Sequence, residues 1–198
     1  VATMQDPFVV TASSSEGGDF ERPAPGMYPA MLVAVIDLGT HTRVFSGESK
    51  KQRKVYLAWD LTEERDSKGQ TFIIGQDYTF SLNVKAKFRA LVEGWTGKTM
   101  AEGTQFNITE LVGKPCLVNV AEGMSASGKK YSEISSVAQP MRGMKVVETE
   151  RMPFVFSVTS LNSSLDDPAV PDWLPRIYGR TILDEIKASD EFGALAPI

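Results

Sequence analysis

One cysteine, Cys116, and one histidine, His41, are all the chain has of either residue. A single thiol excludes an intramolecular disulfide and suits a reducing compartment. With one imidazole and no second thiol, a zinc cluster lacks its ligands. Long apolar runs are missing too: nothing approaches the ~18 residues of a membrane span. The opening "VATMQDPFVVTASSSEGGDFERPAPG" has no basic segment followed by an apolar core, so it does not read as a signal peptide. The expectation is a protein of the cytoplasm with no membrane contact.

Net charge is also scarce, at −4 over 198 residues, but it is unevenly placed. Residues 1–149 balance at 17 Lys/Arg and 17 Asp/Glu, whereas residues 150–198 carry 4 against 8. Within the neutral part, "RVFSGESKKQRK" (Arg43 to Lys54) holds five cations and one Glu. This patterning, unlike the mean charge, admits a polyanionic partner.

What is present is a series of strand-like segments. Residues 1–25 are rich in Ser, Gly, Pro and acidic residues and read as a flexible arm, with Phe8-Val9-Val10 as its one docking point. "MYPAMLVAVIDLG" is β-branched and nearly continuous in apolar residues, as expected of a strand buried on both faces. A loop, "GTHTRVFSGESKKQR", is expected next. "KVYLAWDL" then alternates, with Val55, Leu57, Trp59 and Leu61 on one face and Lys54, Tyr56, Ala58 and Asp60 on the other. "TFIIGQDYTFSLN" is a third strand with Gly75 as an expected bulge or bend. In "VKAKFRALVEGW" the period changes: Val84, Phe88, Leu91, Val92 and Trp95 recur at helical spacing. A short helical turn is expected at Thr109–Val112. "PCLVNVAE" and "KKYSEISSVAQP" form two more strands joined by the hairpin loop "GMSASG", and "PRIYGRTILDEIKASDEF" reads as one amphipathic helix.

The order strand, strand, strand, helix, strand, strand is that of a five-stranded OB-fold barrel with its helix between strands 3 and 4. The expected fold class is therefore mainly β. It divides into the arm (1–25), the barrel (26–140) and a C-terminal helical extension (141–198).

Catalytic chemistry finds little material. Gly123, four residues, then Gly128-Lys129 has the spacing of a phosphate-cradling P-loop. However, Lys130 replaces the Ser/Thr that would hold magnesium, and a strand replaces the required helix. His41 sits in a polar loop without a partner, and Cys116 reads as a small buried hydrophobe. Acidic pairs such as Glu63-Glu64 and Asp166-Asp167 read as solvated turns. No catalytic residue, metal ligand or cofactor is assigned, although a nuclease built on scattered carboxylates stays open.

Binding has more to work with. OB-folds hold oligonucleotides on the face of strands 2 and 3, flanked by the loops joining strands 1–2 and 4–5. Here those loops supply Arg43, Lys50, Lys51, Arg53 and Lys54, and then Lys129 and Lys130. Each leads into a strand with an early tyrosine, Tyr56 or Tyr131. Cations along a backbone beside aromatic faces are what single-strand binding requires. Parity points Tyr56 outward with Lys54. Each tyrosine is either a stacking platform or an ordinary strand aromatic, and the basic cluster either contacts nucleic acid or is merely solvated. The C-terminal helix either packs back on the barrel or recruits a partner.

"GMYPAMLVAVIDLGT", the basic loop, "RKVYLAWDL", "YTFSLNVKAKFRALVEGW", "LVGKPCLVNV" and "PDWLPRIYGR" together resemble phage-encoded single-stranded DNA-binding proteins of replication and recombination modules. The resemblance is one of texture and order over roughly Gly26 to Phe192. It implies an OB-fold that binds and protects single-stranded DNA without sequence preference, in a host cytoplasm and without catalysis. Bacterial single-strand binders close an acidic tip with Pro-Phe. Here the acidic run precedes "GALAPI", so docking of a replication or recombination protein rests on this chain's own C-terminal segment. A homo-oligomer is left open. The competing expectation is a structural or assembly protein that uses the barrel as an interaction scaffold.

Overall fold

A computed structural model describes residues 21–160 and 169–195. Most of the arm, with its Phe8-Val9-Val10 cluster, and the Asp166-Asp167 pair lie outside them. The fold is mainly β, with six strands in one sheet. The strands are β1 (Gly26–Phe45), β2 (Glu48–Arg65), β3 (Thr71–Thr79), β4 (Pro115–Met124), β5 (Lys130–Ala138) and β6 (Phe154–Ser157). Hydrogen-bonded neighbours follow the path β3-β2-β1-β4-β5, all antiparallel, and β6 joins β1 in parallel. β1 serves both halves: Gly26–Met31 pairs with β4, whereas Met31–Phe45 pairs with β2. The path does not close by a backbone ladder. Its end strands β3 and β5 are spanned by the Ile134 N–H, which donates to Gln76 Oε1 at 2.9 Å.

The expected alternation in β2 places Val55, Leu57, Trp59 and Leu61 in an inner core with Leu32, Ile74, Tyr78, Cys116, Val118, Ile134 and Val137. Helix α1 (Lys87–Thr96) caps this core with Phe88, Leu91, Val92 and Trp95. It starts three residues later than the periodicity predicts. Val84 is exposed before it, where the chain turns on an Ala86 N–H to Asn83 carbonyl bond. The short turn near Thr109 is a 3-10 helix, Ile108–Leu111, capped by Asn107.

Three expectations need correction. The region from Gly39 to Arg53 is not a loop. β1 and β2 run on through it as a two-stranded ribbon in register from Thr40↔Arg53 to Phe45↔Glu48. Only Ser46 and Gly47 turn, both at positive φ (51° and 82°), as a type I′ hairpin requires. Second, Gly75 carries no register shift. It is small because the Tyr56 ring lies over it: a Cβ there would stand 1.8 Å from the Tyr56 hydroxyl oxygen. Third, the single C-terminal helix is two short ones, α2 (Ile182–Lys187) and α3 (Asp190–Gly193). Thr181 and Asp184 form a reciprocal capping box that starts α2, and Ser189 caps α3.

The C-terminal segment builds a second core on the outer face of the sheet. Ala34, Ile36, Leu38, Tyr56 and Ala58 meet Val158, Leu174, Ile177, Ile182 and Ile186 there. β1 is thus buried on both faces at its centre, as its continuous apolar run predicts. The sixth strand, β6, belongs to this layer, and Thr149 Oγ1 ties the connection before it to Asp60 at 2.6 Å.

Candidate nucleic-acid interface

Two hairpins carry the expected contact residues. In the β1–β2 ribbon, residues directly opposite share a face. One face holds the Thr40/Arg53 and Thr42/Lys51 pairs, and the other holds His41/Gln52 and Arg43/Lys50. The first face is docked. Lys51 Nζ meets Asp190 Oδ2 at 2.8 Å, and the Thr40 N–H and hydroxyl both donate to Glu191 at 2.7 Å. Burial alone would raise the Glu191 carboxyl. The bonds from Thr40, with Arg53 nearby, outweigh it and hold the group below the usual carboxylate range. Arg53 forks onto Asp37, with Nη2 at 2.6 Å and Nε at 3.2 Å, and Asp37 also accepts from the Ser157 hydroxyl.

The second face is more open. Arg43 is about half exposed and stands 3.9 Å from Asp77. Lys50 is exposed and makes no ion pair among the described residues. Lys54 is buried, its ammonium 3.3 Å from Asp77, so this cation is neutralised inside the fold rather than offered to solvent. His41 is not a loop residue; a ring nitrogen sits 3.0 Å from the Leu38 carbonyl.

Tyr56 departs furthest from expectation. Parity places it opposite Val55 and Leu57, as read, but its relative exposure is 0%. The C-terminal segment covers that face, and the Tyr56 hydroxyl donates to the Pro175 carbonyl at 3.1 Å. Desolvation, followed by the nearby Asp77 charge, pushes this hydroxyl far above the tyrosine range. A ring sealed in a core cannot stack on a base. Local periodicity reports which side of a strand a residue faces, not what later covers that side.

The β4–β5 hairpin matches its expected form. The tip, residues 125–129, is closed by Ser125 N–H to Lys129 carbonyl and Gly128 N–H to Ser125 carbonyl bonds, both 2.9 Å. Lys129 and Lys130 are exposed; Lys130 pairs with Glu122 at 2.9 Å, whereas the Lys129 ammonium has no ion pair among the described residues. Tyr131 is 43% exposed and lies against Gly123, its cross-strand partner, where a Cβ would come within 2.5 Å of the ring. Arg22, at the end of the arm, donates to the Lys130 carbonyl, an extra cation that the sequence reading overlooked.

Of the nine expected contact residues, Lys50, Lys129 and Tyr131 are exposed without an ion pair among the described residues, and Arg43 and Lys130 are exposed on the two hairpins with one carboxylate partner each. Lys51 and Arg53 are bound to carboxylates on the docked face, and Lys54 and Tyr56 are buried. Cys116 is fully buried, its thiol directed to the Ala30 carbonyl, with burial pushing its ionisation upward. No group of three or more His, Cys, Asp or Glu able to hold a metal ion occurs among the described residues, and no helix there is long and apolar enough to cross a membrane. No protein-family model matches the chain, and no curated protein matches it.

Proposed function

We propose that the chain is a non-enzymatic protein of the OB-fold barrel type that binds single-stranded DNA without sequence preference, in phage DNA replication or recombination in a host cytoplasm. The strand path β3-β2-β1-β4-β5, with α1 between β3 and β4, agrees with that barrel order. The observation that carries the reading is the pair of projecting hairpins. They bear Arg43, Lys50, Lys129 and Lys130, with the half-open Tyr131 ring beside the second. Such cations neutralise phosphates, and an aromatic face accepts any base.

A second reading, an assembly scaffold, is favoured by a different observation. Arg43, Lys51, Arg53, Lys54 and Lys130 all stand within ion-pair distance of this chain's own carboxylates. Fluorescence anisotropy of a labelled oligothymidylate, against duplex DNA and RNA of equal length, separates the two. Binding that favours the single strand and weakens with salt supports the first reading. No binding at low salt, with concentration-dependent self-association indifferent to oligonucleotide, supports the scaffold. Shortening of the oligonucleotide only when magnesium is present would instead indicate a nuclease.

A further inference from the structure

Tyr178 is 83% exposed, whereas its apolar neighbours Leu174, Ile177 and Ile182 are buried. Its backbone lies in the left-handed region, at φ 48°, beside Gly179 at φ 85°. A bulky side chain is strained there, whereas Asn or Gly is not. Strain of this kind persists only where surrounding structure holds it. Here Ile177 and Arg180 exchange two backbone hydrogen bonds of 2.9 Å across the two-residue turn. Ile177 and Ile182 anchor both ends of the turn in the outer core, and the Tyr56 hydroxyl holds the Pro175 carbonyl. The ring is therefore displayed on a fixed mount.

The surroundings fit a role in recognition. Tyr56 and Asp77 are cross-strand partners, so the Pro175 carbonyl bonded to Tyr56 fixes the segment over the outer face of β2 and β3. Partial desolvation and then the Asp77 charge push the Tyr178 hydroxyl upward, with Arg43 opposing and Tyr131 and Glu133 also within electrostatic reach. Asp77 in turn lies 3.9 Å from Arg43, so the segment that displays Tyr178 covers the face next to this ribbon cation. We propose that Tyr178 is a base-stacking residue of the interface, supplied by the C-terminal extension at the face where buried Tyr56 cannot act. The role rests on the single-stranded DNA reading above.

The test compares wild type with Tyr178→Asn, which removes the ring while fitting the left-handed backbone, and with Tyr178→Trp, which keeps an aromatic face. The readouts are oligothymidylate affinity, thermal unfolding midpoint, and ultraviolet crosslinking to oligothymidylate followed by peptide mapping. Stacking predicts that Tyr178→Asn binds about five- to 160-fold more weakly. Its unfolding midpoint is expected to be equal or higher, Tyr178→Trp to retain affinity, and the wild-type crosslink to fall on the peptide holding Tyr178. Wild-type binding that Tyr178→Asn leaves unchanged overturns the role of Tyr178 alone. Absence of wild-type binding overturns it together with the proposed function.

Discussion

A methyl group at position 75 has no room beneath the Tyr56 ring, because its carbon would lie 1.8 Å from the hydroxyl oxygen and 2.4 Å from the ring. Gly75→Ala is therefore expected to lower the unfolding free energy by about 1–3 kcal/mol, the cost of overpacking a filled core. Urea denaturation checks this, and an unchanged midpoint would contradict the tight contact. Tyr56 and Tyr78 are both buried, and desolvation raises both hydroxyls above the ordinary value of 10.0. A raised acid favours the folded state only while protonated. The stability from this pair is thus fully present below pH 10 and is lost as pH rises above it. Tyrosinate absorbance followed through an alkaline titration should show these two rings ionising only together with unfolding. Their ionisation at the ordinary tyrosine value with the fold intact would contradict their burial.

Among the elements, the C-terminal segment is expected to loosen in acid. Asp184 is held below the usual carboxylate range, first by the Thr181 hydroxyl and then by the Thr181 N–H, and Glu191 is lowered by its bonds from Thr40. Depressed carboxyls stabilise above their unfolded value and lose that contribution as pH falls through the folded one. Amide protection in α2 and α3 is therefore expected to fall below about pH 4 while the β1–β2 core stays protected. Equal loss in both regions would contradict a separately docked segment.

The same elements show what periodicity can carry. β2 and α1 were legible because their apolar residues repeat at 2 and near 3.6 residues. The ribbon from Thr40 to Arg53 was not, since even its docked face is polar (Thr40, Thr42, Lys51 and Arg53) and so has no apolar alternation to read. β6 was hidden because four residues between turns are too few to establish a period. The hairpin cations were legible from composition. The fate of Lys54 and Tyr56 was not, because it depends on contacts with residues more than a hundred positions further along the chain or on the neighbouring strand.

At the scale of the whole molecule, charge is arranged so that the acidic C-terminal segment meets one face of the basic ribbon and leaves the other face open. Phosphate contacts are therefore expected from Arg43, Lys50, Lys129 and Lys130, and not from the full cluster of cations in the sequence. The most direct test is the salt dependence of oligothymidylate affinity for wild type and for the Lys50→Ala/Lys129→Ala double variant, which removes two cations without ion pairs. A polymer-binding interface predicts a linear fall of log affinity with log salt, and a slope shallower by about 1.4 in the variant, near 0.7 per lost phosphate contact. Affinity that is flat with salt, or the same slope in both proteins, would contradict the two-hairpin interface.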